Sequence, residues 1–162
     1  MATNQLNAQS QGGELDVNAN QYLTFSLADE EYGVDILKVQ EIKGYVPTTR
    51  IPNSPPEVTG VLNLRGTIVP IIDLRRKFNL PEAAHDQFTV IVVVVVKNHV
   101  MGMIVDSVSE VMSIDAGSIQ PPPTIGTVGP NALKGLGKVE DKLIILLDIE
   151  AILLGESTAL AA

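Results

Sequence analysis

The apolar residues of this chain recur in short blocks with the period of two that marks strands, not the 3.6 of helices. Tyr22, Leu23, Phe25 and Leu27 form the first block, and Asp29-Glu30-Glu31 makes a polar turn. Tyr32-Gly33-Val34 then restarts an apolar segment that runs through Ile36, Leu37, Val39 and Ile42 to Gly44. Pro47, Pro52, Pro55 and Pro56 impose a rigid extended loop. Residues 58–73 predict two strands around the turn Asn63-Leu64-Arg65-Gly66, and residues 81–87 a polar connector. Further strands are expected at 88–96, 101–105, 108–114 and 143–147. A Pro/Gly-rich loop falls at 121–130, and Asp148 is placed to cap a short closing helix over 149–154. Residues 1–20 read as a flexible lead-in and 156–162 as a tail.

Two blocks recur. Gly33-Val34-Asp35-Ile36-Leu37-Lys38-Val39-Gln40-Glu41-Ile42 matches Gly102-Met103-Ile104-Val105-Asp106-Ser107-Val108-Ser109-Glu110-Val111 in its glycine, valine, glutamate and final β-branched residue, at an offset of 102 − 33 = 69. Gly60-Val61-Leu62 through Leu74 matches Gly135-Leu136-Gly137 through Ile149 at an offset of 135 − 60 = 75. The same order at nearly the same offset predicts two versions of one unit of about 65 residues, divided into 21–85 and 86–155. Some five short strands per unit suit a small closed barrel, which leaves no sheet edge exposed.

Composition narrows the chemistry. The 162 residues suit one domain or two small ones sharing a core. Val and Ile number 19 and 15, a β-favouring excess. A net charge of −8, six aromatics and no Trp argue against a nucleic-acid-binding barrel, which needs a basic face interleaved with aromatics. With no cysteine and only His85 and His99, disulfides, thiol nucleophiles, Cys-ligated metals and three-histidine metal sites are excluded; no metal and no cofactor is expected. The longest apolar run, Val90–Val96, is far short of the roughly 20 residues that a spanning helix needs. A cytoplasmic protein without membrane insertion is the simplest fit.

Each candidate group has a plain reading beside a functional one. Asp29, Glu30 and Glu31 are turn carboxylates more readily than an acid–base pair. Asp73 and Asp148 end equivalent strands and cap the segments after them, the rival being an enzyme in which they converge. Gly135-Leu136-Gly137-Lys138 lacks the full phosphate-loop spacing and reads as a turn. Arg75-Arg76-Lys77 reads as a solvated basic face before a docking patch. In Asn63-Leu64-Arg65-Gly66, Gly66 can take positive φ and Asn63 can bond the turn backbone, which presents Arg65 beside apolar Val61 and Ile68, ready for a partner carboxylate. Val39 with Glu41, and Val108 with Glu110, are apolar and acidic positions that separate core from solvent or rim a groove.

The blocks at residues 31–42 and 61–75, with Gly102-Met103-Ile104-Val105-Asp106 and Gly135-Leu136-Gly137, closely resemble the CheW family of bacterial chemotaxis coupling proteins, over roughly residues 21–154. The resemblance implies an all-β fold of two packed, intertwined, five-stranded SH3-like barrels with short helices. It implies an adaptor without catalysis that links methyl-accepting chemoreceptors to the regulatory domain of the histidine kinase CheA and is recruited to membrane receptor arrays. A CheW-like module scaffolding another receptor–kinase pathway, not devoted to motility, is the alternative. Receptor contact maps in the family to the region carried here by Val39, Glu41, Gly60, Asn63, Arg65 and Val111. The kinase face is expected on Val93, Val95, Gly102 and Met103.

Overall fold

Eleven strands account for most of the residues that the computed structural model describes, which are 19–121 and 133–155. The expected lead-in up to residue 18, most of the 121–130 loop and the C-terminal tail lie outside the described residues. The strands are β1 (Ala19–Leu27), β2 (Glu30–Asp35), β3 (Val39–Gly44), β4 (Val58–Leu64), β5 (Thr67–Asp73), β6 (Val90–Val96), β7 (His99–Val105), β8 (Ser107–Asp115), β9 (Ile119–Gln120), β10 (Leu133–Val139) and β11 (Lys142–Leu147). A one-turn helix α1 (Leu74–Lys77) follows β5, and a helical turn follows β11. Tight hairpins with left-handed residues join β1 to β2 at Ala28-Asp29, β4 to β5 at Arg65-Gly66, and β6 to β7 at Lys97-Asn98. Two expectations are corrected. The lead-in ends early, since Ala19 and Asn20 already pair with β8. Gly135-Leu136-Gly137-Lys138 is strand, not turn: at Gly135 a Cβ would sit 2.7 Å from Ile119 Cγ2 and 2.8 Å from the Gln120 carbonyl oxygen, so the glycine admits the crossing β9.

The strands form two sheets, ordered β8-β1-β2-β11-β10-β9 and β3-β6-β7-β5-β4. The repeat seen in the sequence equates β1 to β5 with β6, β7, β8, β10 and β11. Under that mapping the first five strands of one sheet and all of the other have the same order. Both contain one parallel pair, β2 with β11 and β5 with β7. Even the bulges recur: β3 slips between Val39 and Glu41 and β8 opposite Thr24/Phe25, while β4 slips between Val58 and Gly60 and β10 between Leu133 and Gly135. The first two strands of each repeat pair with the last three of the other, so each barrel draws on both repeats. The expected division at residue 85 therefore separates the repeats and not the barrels. One barrel is built from β1, β2 and β8 to β11 (the first barrel), the other from β3 to β7 (the second barrel). In the second, Tyr45 continues the β3–β6 ladder through its N–H to Thr89 (3.1 Å), and Thr49 exchanges hydrogen bonds with Val61 of β4 (3.0 and 2.8 Å), closing the sheet on itself.

Three apolar clusters result. Leu64, Val69, Ile71, Ile91, Val93 and Ile104 fill the second barrel. Tyr22, Ile114, Ile144 and Leu146 fill the first. The largest cluster lies between them and draws on both: Leu23, Phe25, Leu27, Val34 and Leu147 from one, Ile72, Val92, Val94, Val96, Met103 and Val105 from the other. β6 shows why its sequence is a continuous valine run. Ile91 and Val93 face their own barrel while Val92, Val94 and Val96 face the shared core, so neither face meets water. Each such side chain contributes about 1.5–3 kcal/mol on burial.

The two chain crossovers between barrels carry matched ion pairs of opposite sense. Parallel pairing puts the ends of β5 and β7 side by side, and likewise those of β11 and β2. After β5, Asp73 accepts from the Arg75 N–H, as expected of a cap, and Arg75 forks onto Asp106 at the β7–β8 crossover, with Nε–Oδ1 at 2.8 Å and Nη2–Oδ2 at 2.6 Å. Asp106 also accepts from the Ala28 N–H (2.9 Å). After β11, Asp148 accepts from the Ala151 N–H, and Glu150 meets Lys38 at the β2–β3 crossover (3.1 Å). The basic cluster is spent inside the molecule: Arg75 on Asp106 and the Pro81 carbonyl, Arg76 on the Pro56 carbonyl and Glu82, Lys77 on Glu57.

Gly102→Ala puts a Cβ 2.6 Å from Ile71 Cδ1 and 2.9 Å from Ile91 Cγ2, inside the second barrel. A loss of about 1–3 kcal/mol is expected by urea denaturation, whereas Gly44→Ala, with open space around it, leaves the midpoint unchanged. The hydrogen bond from Arg75, reinforced by the Ala28 N–H and opposed by partial desolvation, holds the Asp106 carboxyl below the usual carboxylate range. Stability from a depressed carboxyl is complete above its unfolded pKa, near 4, and is lost as pH falls through the folded value. Asp106→Asn is therefore expected to cost about 1 kcal/mol at pH 7, discounted for its partial exposure, with the gap from wild type closing below about pH 4. A gap that persists into acid would refute this.

Candidate functional site

The Arg65 tip is built by local sequence. Asn63 Oδ1 accepts from the Gly66 N–H (2.8 Å) and Gly66 takes φ +91°, as the turn chemistry requires. Arg65 itself sits at φ +50°, an uncommon conformation for a side-chain-bearing residue that lifts its guanidinium off the barrel. The side chain is 70% exposed, yet it reaches across to β3 and donates through Nη2 to Glu41 Oε2 (2.8 Å) and more weakly through Nη1 to Oε1 (3.4 Å). The intramolecular carboxylate takes the contact that the sequence left open for a partner. The Arg65 hydrogen bond pulls the Glu41 carboxyl below its ordinary value; partial desolvation opposes this, and the charges of Arg65 and Lys43 add to it.

β3 explains why Glu41 can do this. The bulge at Gln40 and the strand's alternation leave Val39 and Glu41 half-buried on one side, with Val39 packed on the shared core, and turn Ile42 outward, 45% exposed. The aliphatic Val39 faces the core as expected, while Glu41 is half-covered beneath Arg65 and the next residue, Ile42, faces water. Ile68, on β5 opposite Asn63, is 60% exposed. Between the tip and the β6–β7 hairpin lies a shallow depression of about 170 Å³ lined by Gln40, Leu64, Arg65, Thr67, Val69 and Val100. Gly60 is buried behind the tip, where a Cβ would come 2.7 Å from the Thr49 carbonyl carbon and 2.9 Å from Thr48 Oγ1. It supports the β4 surface by letting the proline loop approach.

Five of the six expected receptor positions, Val39, Glu41, Gly60, Asn63 and Arg65, thus belong to the second barrel, and Glu41 and Arg65 touch. Val111 lies on β8 of the first barrel, where it is exposed. By the repeat it is the counterpart of Ile42, and exposed Leu143 is the counterpart of Ile68. The kinase-side expectation needs correction. Val93 and Met103 are fully buried, and Gly102 is packed between Ile71 and Ile91, because both faces of β6 and β7 are covered. These three serve the fold; Val95 alone is partly accessible. Reasoning from the sequence missed Ile42 and Phe88, both exposed. Ile42 carried a signal, an isoleucine out of phase with Val39 on the same strand.

The groups weighed for catalysis are otherwise engaged. Asp73 and Asp148 follow strands of different sheets, and each accepts a helix-capping hydrogen bond. Glu31 accepts from Ser26 and Ser109. His85 lies against the Tyr45 ring, with centroids 4.0 Å apart. Among the described residues no group of three or more His, Cys, Asp or Glu is placed to hold a metal, and no helix is long and apolar enough to cross a membrane. What the surface offers is a guanidinium held by its own carboxylate, flanked by exposed aliphatic side chains: material for a protein contact.

In a carboxyl-resolved NMR titration, Glu41 is expected to protonate below the ordinary glutamate range in the wild type and to return to that range in Arg65→Ala, whose melting temperature stays unchanged. An unaltered Glu41 titration would show that the pair does not persist in solution.

Comparison with known proteins identifies the family. The family model described as the CheW-like domain matches residues 21–156. A chemotaxis protein CheW from Klebsiella aerogenes is 48% identical over 141 residues, spanning 86% of this chain and 85% of its own. A probable chemotaxis protein CheW from Rhizobium etli is 34% identical over 139 residues, 85% of this chain and 90% of its own. The crystal structure of the scaffolding protein TtCheW from Thermoanaerobacter tengcongensis is similar with a TM-score of 0.79 at 37% identity, covering 84% of this chain and 93% of that one.

Proposed function

Because the chain belongs to the CheW family, we propose that it is a chemotaxis adaptor that joins the cytoplasmic tip of methyl-accepting receptors to the regulatory domain of the histidine kinase CheA, by non-covalent contact with each. The observation that carries the reading is the Arg65–Glu41 pair: a presented guanidinium, kept in place by a carboxylate of the neighbouring strand, between exposed Ile42 and Ile68 and beside a shallow depression. A helical receptor hairpin carries alternating charge and aliphatic side chains on its surface, which such a site matches. Val39, Glu41, Gly60, Asn63, Arg65 and Val111 are the proposed receptor side; Gly60 acts there by supporting β4 and not by contact.

The kinase contact is assigned to the β6 flank of the second barrel, with Val95 kept and the exposed Phe88 taking the place of Val93, Gly102 and Met103. Phe88 precedes β6. Coupling needs no chemistry. If each partner favours one arrangement of the complex, binding of one biases the equilibrium of the other. In this role the protein acts at receptor arrays on the cytoplasmic side of the membrane without entering it.

The test is a pair of calorimetric titrations, one with a receptor cytoplasmic fragment and one with the CheA regulatory domain. Saturable binding to both is expected. Arg65→Ala should weaken the receptor interaction about tenfold and leave the kinase interaction as it was. Binding to neither by the folded wild type, or an equal loss of both in the variant, would overturn the reading.

A further inference from the structure

The proposed receptor contacts are divided between barrels, which raises the question of what sets their spacing. Val39 and Glu41 lie on β3, and Val111 on β8. These are the two strands that leave the chain crossovers, so the geometry of the crossovers decides how the two halves of the surface face a common partner. The β7–β8 crossover is a single residue, Asp106, fixed by the Arg75 fork, by the Ala28 N–H and by its own N–H to the Ser26 carbonyl (3.1 Å). It has no slack.

The β2–β3 crossover is longer. It is a single 3₁₀ turn, Ile36–Lys38, whose Ile36 packs on the shared core while Leu37 is 88% exposed. Asp35 caps the turn from within, by accepting from the Leu37 N–H. The described ion pair that ties it to the other barrel is Lys38 Nζ to Glu150 Oε2, at 3.1 Å. Glu150 has a firm base, because its neighbours Ile149 and Ile152 are buried in the shared core. Lys38 immediately precedes Val39 and is three residues before Glu41, which in turn holds Arg65.

We propose that the Lys38–Glu150 pair is a positioning device for the receptor surface: it holds the start of β3 against the shared core and thereby sets where Val39, Glu41 and, through Glu41, Arg65 stand relative to Val111. The inference rests on the adaptor reading above. Exposure separates it from a role in stability. The two side chains are 36% and 37% exposed, and an ion pair so open to water adds little to folding. It restricts a long side chain, and with it the backbone that starts the docking strand. At the equivalent crossover the tighter Arg75–Asp106 fork does the same task with the charges exchanged, so the structure spends an ion pair on both routes between the barrels.

The experiment is a double-mutant cycle with Lys38→Gln, Glu150→Gln and both together. Neutral amides are chosen because Lys38 and Glu150 share a second depression with Asp35, Lys134 and Asp148, which would meet a reversed charge. Each single variant is expected to weaken binding of a receptor cytoplasmic fragment about fivefold, within the range of such couplings, and the double variant no further than either single. Binding of the CheA regulatory domain and the melting temperature should not move. Additive losses, unchanged receptor affinity in both singles, or parallel losses of receptor and kinase binding would each overturn the proposal. Hydrogen exchange of the free protein supplies a readout that needs no partner: the amides of Val39 to Glu41 should exchange faster in both singles, and unchanged exchange refutes the device outright. A wild type that binds no receptor fragment sinks the adaptor reading and the docking half of this proposal together, while faster exchange in the variants would still establish that the pair fixes β3.

Discussion

Everything in this molecule hangs on an apolar layer shared by two barrels. Neither barrel interior is large: among the described residues, six buried side chains fill one and four the other. The layer between them is bigger than both and takes side chains from β1, β2, β5, β6, β7 and β11 and from the segments after β5 and β11. β6, which lines it along most of its length, has little face left for water, which is why it reads Val-Ile-Val-Val-Val-Val-Val, and Gly33 and Gly102 lack side chains where the parallel strands crowd in. Such a core cannot be divided. Removing one barrel would expose the larger part of what stabilises the other.

The exchange of the leading strand pairs obeys the same logic. With β3 in one barrel and β8 in the other, each chain crossover passes beside the shared layer, and each is closed by an ion pair next to a capped helical turn. The duplicated unit therefore gives matched scaffolds. It does not give matched surfaces. Arg65-Gly66 in one hairpin corresponds to Glu140-Asp141 in the other, so the equivalent tips differ in charge although both expose an aliphatic residue, Ile68 and Leu143, at the next strand. Two barrels of one plan with different tips are what a protein needs if it is to hold different partners at once, since specificity lies in the side chains grafted on the fold.

The Arg65–Glu41 pair shows how such a surface is kept ready. A free arginine on a hairpin tip would sample many rotamers, and binding would have to order it. Here the carboxylate of the adjoining strand holds it.

Much of this was legible from the residues alone. Alternation and turn residues located most of the strands, though not β9 or β10 and not the break between β2 and β3; Asn63 and Gly66 determined their turn and Asp73 and Asp148 were recognisable as caps, because these depend on neighbours a few positions apart, and the repeat survives in the structure down to its bulges. Contacts between distant segments were not legible. That β1 and β2 pair with strands of the other repeat, that Gly135 lies in a strand paired with β9, that Val93 and Met103 are interior and Ile42 is not, and that Glu41, Arg65, Lys38 and Glu150 find their particular partners all depend on which strands lie side by side. Period-two patterning says that a side chain points up or down, but only the packed barrels decide which side is core, because in a fold with a shared layer both sides can be.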